Sequence, residues 1–286
     1  MALDSSTAPF LPPELEREIF EIAAVVHPAT ICHLILVSHR VYDWVERIKF
    51  NTVIPKQIDC AATCTIHELV TAIKSETKPI YFFRDRVRHL FIQNLPDEAI
   101  ETILSACGAV ESLVLFQSFG TIPSLQLTTS PRRLSIYIGD LLDPKQLAAH
   151  PLFTSVTHLD LFDQVHSHRD NIVEHLALMP MLTHLAMWNG STTPDVLAAV
   201  LDRCIGLETV IDMHGSMSTA ISRLTRDDEM RIVSMTVEDT QYLEDWITGT
   251  QGGSDFWARA DAFIAKKRRG DIQPSSRCWI EDTDGI

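Results

Sequence analysis

Residues 156–162 read Val-Thr-His-Leu-Asp-Leu-Phe, and residues 182–188 read Leu-Thr-His-Leu-Ala-Met-Trp. Both place apolar residues at positions one, four and six. The same spacing recurs at Val87, Leu90, Ile92; at Val110, Leu113, Leu115; and at Pro131, Leu134, Ile136. It returns at Leu207 and Val210, with Asp212 where an apolar residue belongs, and at Met230, Val233, Met235. The seven starting points are separated by 23, 21, 25, 26, 25 and 23 residues. One such hexapeptide carries no information, but seven at near-constant spacing describe a repeated strand.

The mean period of about 24 residues lies in the range of leucine-rich repeats. Helical stretches separate the strands. Asp97–Cys107 carries Ile100, Ile103 and Leu104 at helical spacing, Asp143-Pro144 and Thr193-Pro194 look like helix starts, and Asn171–Leu178 and Ser216–Leu224 supply two more. A doubly wound sheet shows the same alternation, but its buried strands read as continuous apolar runs. The polar alternation of His158-Leu159-Asp160-Leu161 favours an irregular solenoid of about seven strands with a parallel, one-sided sheet. The asparagine that commonly turns such repeats is missing: Leu95, Ser118, Gly139, Gln164, Gly190, Gly215 and Glu238 stand there instead.

The expected α/β organisation is a helical module over 10–52, a connecting segment over 53–84, the solenoid over 85–240, a helical cap over 241–270 and a loose tail over 271–286. In the module, Leu15, Ile19, Ile22 and Val26 follow Pro12-Pro13 at helical spacing, Pro28 ends that helix, and Leu34, Val37 and Val41 begin the next apolar series. About 40 residues bury too little surface to stand comfortably alone. In the cap, Asp255–Arg269 reads as an amphipathic helix closing the last repeat, with Lys266–Arg269 at its carboxyl end.

Composition narrows the chemistry. The 286 residues carry 24 Lys+Arg against 38 Asp+Glu, a formal charge of −14. That balance gives no clustered positive field for nucleic acid or an anionic membrane. The six cysteines are too scattered for a disulfide scaffold. Met1–Thr7 does not fit a secretory signal, and no apolar run approaches the roughly 20 residues needed to cross a bilayer. The expectation is a cytoplasmic protein with reduced thiols; the basic run Lys266–Arg269, which resembles a short import signal, adds the nucleus.

No phosphate loop, nucleophile elbow or metal helix is present. Cys60, Cys64 and His67 lack the second pair of a zinc site, and His158, Asp160, Asp163, His166, Ser167 and His168 read as a polar strand face and loop. The chain is expected to be noncatalytic and to take no cofactor or metal. The repeat supplies a surface instead. If positions one, four and six point inward, position seven presents Gln93, Phe116, Tyr137, Phe162, Trp188, Met213 and Thr236, four consecutive aromatics in register about 4.8 Å apart. Positions three and five add Arg133, His158, His184, Phe91 and Asp160. Such a ridge is a candidate face for a target protein.

The segment Leu11-Pro12-Pro13-Glu14-Leu15-Glu16-Arg17-Glu18-Ile19-Phe20, with His27-Pro28, Leu34–Arg40 and Val41-Tyr42-Asp43-Trp44-Val45 behind it, resembles an F-box of the compact basidiomycete form. The match covers about 40 residues, and Arg17 and Glu18 depart from the usual pattern. The resemblance implies a noncatalytic substrate receptor of a Skp–cullin–F-box ubiquitin ligase, which docks a Skp-type adaptor and, through it, a cullin. Leu11, Pro12, Leu15, Ile19, Leu34, Val37, Val41 and Trp44 would be the docking residues, and the repeat face would hold the target. The other expectation is an interaction or structural protein with a degenerate F-box and no ligase role.

Overall fold

The computed structural model describes residues 11–55, 63–116, 129–138, 150–163, 169–188, 193–213 and 225–286. Nine parallel strands form one sheet among these residues: β1 (Thr52–Ile54), β2 (Cys64–Thr65), β3 (His89–Gln93), β4 (Ser112–Phe116), β5 (Arg133–Ile136), β6 (His158–Leu161), β7 (His184–Met187), β8 (Thr209–Asp212) and β9 (Ile232–Ser234). Their order is β2-β1-β3-β4-β5-β6-β7-β8-β9. From β3 onward every strand lies beside its sequence neighbour. Position three runs straight across the sheet, His89 to Ser112 to Arg133 to His158 to His184 to Thr209.

Parallel neighbours need a crossover, and the sequence supplies a helix for most of them. These are α4 (Ile66–Lys74) and α5 (Ile80–Arg86) before β3, α6 (Asp97–Ala106) before β4, and α7 (Pro151–Thr154) before β6. Then come α8 (Arg169–Ala177), α9 (Pro194–Arg203) and α10 (Arg226–Glu229), before β7, β8 and β9 respectively. Thr193 caps α9 by accepting from the Val196 amide at 3.3 Å. Leu90, Leu113, Leu134, Leu159, Leu185 and Val210 form one buried row facing these helices, with Ile103, Phe153, Leu176 and Leu197 against them. The helix expected after Asp143-Pro144 and the one over Ser216–Leu224 lie outside the described residues.

The other face is covered as well. Two C-terminal helices, α11 (Asp239–Thr250) and α12 (Phe256–Arg269), lay Tyr242, Trp246, Phe256, Trp257 and Phe263 over Phe91, Val114, Phe162, Ala186, Trp188 and Ile211, forming a second buried core. Asp255 caps α12 by accepting from the Ala258 amide at 2.9 Å. Gly270, at φ +85°, ends it in the left-handed region.

This corrects the expected fold. The sheet is not strongly curled, as a leucine-rich-repeat solenoid would be, and it is not one-sided. A solenoid bends because bulky crossovers crowd one face while the other stays open; helices on both faces remove that asymmetry. The cause is visible in the strands: position five is apolar at Phe91, Val114, Ala186 and Ile211, so most strands bury both faces. Asp160 made β6 look alternating, and it is itself fully buried.

The register of the last repeat is also corrected. Val210 pairs with Ile232 and Ile211 with Val233, so Ile232, not Val233, occupies position four. A shift of one residue exchanges the faces, and Ile232 joins the first core while Val233 joins the second. Residues 53–84, expected as a connection, carry β1, β2, α4 and α5, which pack into the first core through Val53, Cys64, Leu69 and Phe83.

The N-terminal module comprises α1 (Pro13–Val26), α2 (Ile31–Leu34) and α3 (His39–Lys49). It is tied to the sheet by Phe50, whose ring meets Phe82 and Phe83 edge-on at 5.4 and 5.9 Å. Ion pairs Lys49–Glu68 at 2.8 Å and Lys78–Glu46 at 2.6 Å flank that joint.

Candidate functional site

α1 starts with Pro13 at its first turn and has Glu14 and Glu16 near its positive end. Its inner side is small. Ala24, Ile31, Val41 and Val45 make up the module's buried core, with Phe20, Leu34, Ile35, Trp44 and Ile48 partly buried around it. Ser38 caps α3 by accepting from the Val41 amide at 3.4 Å. Arg40 bridges to Glu16 at 2.6 Å while its guanidinium lies 5.9 Å from the centre of the Trp44 ring.

The opposite side of α1 is apolar and open. Leu11, Leu15, Ile19, Ile22 and Val26 are each about half exposed or more, Val25 stands at their edge, and Leu36 is 80% exposed with Val37 beside it. The structure thus divides the residues singled out from sequence. Leu11, Pro12, Leu15, Ile19 and Val37 are on the surface, whereas Val41 is fully buried and Leu34 and Trp44 are partly so. Ile22, Val25, Val26 and Leu36 were not among the candidates. The spacing of Ile22 and Val26 from Leu15 and Ile19 already placed them on one stripe.

The proposed target face is closed. Phe91, Asp160, Phe162, Trp188 and Met213 are buried, and Phe116, Arg133, Tyr137, His158 and His184 are half-buried. The aromatic ridge exists, with Phe116, Tyr137 and Phe162 centred 4.9–6.1 Å apart, but Tyr242 and Trp246 of α11 cover its continuation. Polar pairs key the cover to the sheet. Trp246 Nε1 donates to Ser112 Oγ at 2.9 Å, and Arg133 pairs with Asp255 at 2.8 Å. Asp261 accepts from Thr209 Oγ1 at 3.2 Å and contacts His184 Nε2 at 3.0 Å.

His158 and His184 stack with ring centres 4.1 Å apart, and the Trp257 ring stands edge-on to His158 at 5.1 Å. Burial, helped by His184 and Arg133, pushes the His158 imidazole down to about 3. Burial likewise lowers His89 to about 4. Burial lifts the Asp160 carboxyl to about 7, against the opposing pull of Tyr242, Trp188 and Ser135. His158 and Asp160 do share a sheet face, as strand alternation required. Asp160 is nevertheless engaged by Tyr242 and Trp188. His166, Ser167 and His168 lie outside the described residues.

No group of three His, Cys, Asp or Glu able to hold a metal occurs among the described residues. Cys64 is in the first core, its thiol pushed up to about 12 by burial, while His67 is exposed on α4; Cys60 lies outside the described residues. No described helix is long and apolar enough to cross a membrane. Within the basic run, Lys267 is buried and donates to the Glu229 carbonyl at 2.6 Å, and Lys266 donates to the Asp284 carbonyl.

No family model matches the chain, and no curated protein matches it either. With a sheet that is open on neither face, this overturns the resemblance to F-box proteins with a leucine-rich-repeat-like body. What stands is the geometry: a nine-stranded parallel sheet between two helical layers, and a small helical head with an uncovered apolar stripe.

Proposed function

We propose that the chain is a noncatalytic docking protein that binds a helical partner through α1 and the turn before α3. One observation carries the reading: Leu15, Ile19, Ile22 and Val26 form an exposed apolar stripe along a 14-residue helix, about 21 Å long, and Leu11 just before it is exposed as well. The head buries only four apolar side chains completely. A stripe of this length suits an apolar helix laid along it, and Leu36 and Val37 add further exposed apolar surface to the head. Such a partner would gain most from the central positions, where water is excluded.

The partner to test first is a Skp-type adaptor, and through it a cullin-based ubiquitin ligase, with the chain acting by proximity and performing no chemistry of its own. The closed sheet face supports a second reading, an interaction protein without a ligase role, because among the described residues it leaves no open repeat surface to hold a target. Copurification from source cells separates the two. Recovery of a Skp-type adaptor with the wild-type chain, lost in a Leu15→Asp, Ile19→Asp double variant that keeps its fold, supports the ligase reading. Recovery of other proteins through the same stripe supports the second, and a double variant that retains every partner sinks both.

A further inference from the structure

The covered sheet face holds a buried carboxyl with no cation among its hydrogen-bond partners. Asp160 is completely buried at the middle of the seam between the sheet and α11. Trp188 Nε1 donates to its Oδ1 at 2.7 Å, and the Tyr242 hydroxyl lies 2.6 Å from its Oδ2. The same hydroxyl lies 2.9 Å from Ser135 Oγ. Tyr242 has one hydrogen for two oxygens. When Asp160 carries a proton, the carboxyl donates to Tyr242 Oη, Tyr242 donates to Ser135, and Trp188 still donates to Oδ1. When the proton leaves for solvent, Tyr242 turns its hydrogen to Asp160, and a full negative charge remains in an apolar layer of Phe91, Phe162, Trp188 and Phe256.

Among the described residues, the other charged or titratable groups along the seam do not offset that charge. Arg133 is paired with Asp255, His184 with Asp261, and Arg259 with Asp245. His158 is stacked on His184, and His89 is held neutral by burial. Tyr137, Asp163 and Asp239 add only acidic groups.

We propose that Asp160 is a proton-operated latch for the C-terminal layer: its neutral acid holds α11 and α12 on the sheet, and its ionised form favours their release. Release would hydrate the carboxylate and uncover the aromatic ridge of Phe91, Phe162 and Trp188. The direction follows from linkage. Asp160 keeps its proton in the closed form up to about pH 7, whereas in an opened form it ionises near the ordinary 3.8. Closure is therefore strongest below the opened-state value and weakens as pH rises through 7. His158 and His89 act in the opposite sense: both ionise near 6.5 once opened, so between pH 6.5 and 8 they strengthen closure by about as much as Asp160 weakens it, and comparison with Asp160→Asn isolates the carboxyl.

Amide hydrogen exchange of the full chain between pH 6.5 and 8, corrected for intrinsic rates, tests this. Relative to Asp160→Asn at the same pH, protection in residues 239–269 of the wild type is expected to fall about fourfold, with amides of β3 and β4 unchanged. Asp160→Asn mimics the neutral acid, donating to Tyr242 and accepting from Trp188, and should gain protection over this range where the wild type stays nearly level. Tyr242→Phe deletes the hydroxyl that favours the ionised form, so its divergence from Asp160→Asn should move to higher pH. An acid carbonyl band in the infrared that fades over this range in the wild type, and is absent in Asp160→Asn, would support the same assignment. An equal pH dependence in the wild type and Asp160→Asn, or a difference spread evenly over the sheet, would overturn it.

Discussion

Tyr242 places its hydroxyl oxygen 2.6 Å from Asp160 across a sequence separation of 82 residues, and both side chains are buried. That contact joins the last helical layer to the centre of the sheet. It also explains why a strand that reads as half-polar is buried on both sides.

Replacing Tyr242 by Phe keeps the ring over Phe91 and Trp188 and removes only the oxygen. The expected cost is about 1–3 kcal/mol, because a buried acceptor loses its donor. The loss should be larger at pH 8 than at pH 6, since the hydroxyl serves the ionised form of Asp160. Urea midpoints at the two pH values measure it.

His158 makes the opposite contribution. Its folded value near 3 lies below the ordinary 6.5, so its stabilisation is present above 6.5 and is lost as pH falls toward 3. At most this changes the unfolding constant about tenfold per pH unit. His158→Gln should flatten the acid limb of a stability–pH curve; an unchanged limb would assign the acid sensitivity elsewhere.

The head separates docking from folding. Leu15→Asp and Ile19→Asp are expected to change stability by no more than about 0.5 kcal/mol each, because both positions face solvent, yet to abolish partner recovery. Ile31→Ala, in the head's small core, should cost about 2–5 kcal/mol. Thermal unfolding alongside copurification distinguishes these effects.

Trp257 and Trp279 offer a contrast within the C-terminal region. Trp257 is buried against His158 and Phe256, and its replacement by Ala should cost about 3–5 kcal/mol. Trp279 is 40% exposed, and Trp279→Ala should lie within about 0.5 kcal/mol of the wild type. Denaturant unfolding of both variants reads this directly.

Much of the first core is legible in the spacing of apolar residues alone. Leu90, Leu113, Leu159 and Leu185 occupy the places their spacing required, and Thr193, Asp255 and Gly270 begin or end helices through local bonds and backbone angles. The last repeat misled because Met230, Val233 and Met235 fit the template one residue out of register, and only pairing with β8 decides between the two frames. β1 and β2 were missed because strands of three and two residues carry too little periodicity to detect.

Sequence alone therefore settled where six of the strands from Val87 onward run and which of their residues share a side, because dihedral preference and side-chain alternation act over a few neighbours. It could not decide what lies against each side. Apolar burial has no direction, so Phe91, Phe162 and Trp188 could equally have met a foreign protein or the chain's own α11 and α12. The tertiary structure chose the latter through contacts such as Trp246 to Ser112, 134 residues apart, and left the open apolar surface on α1.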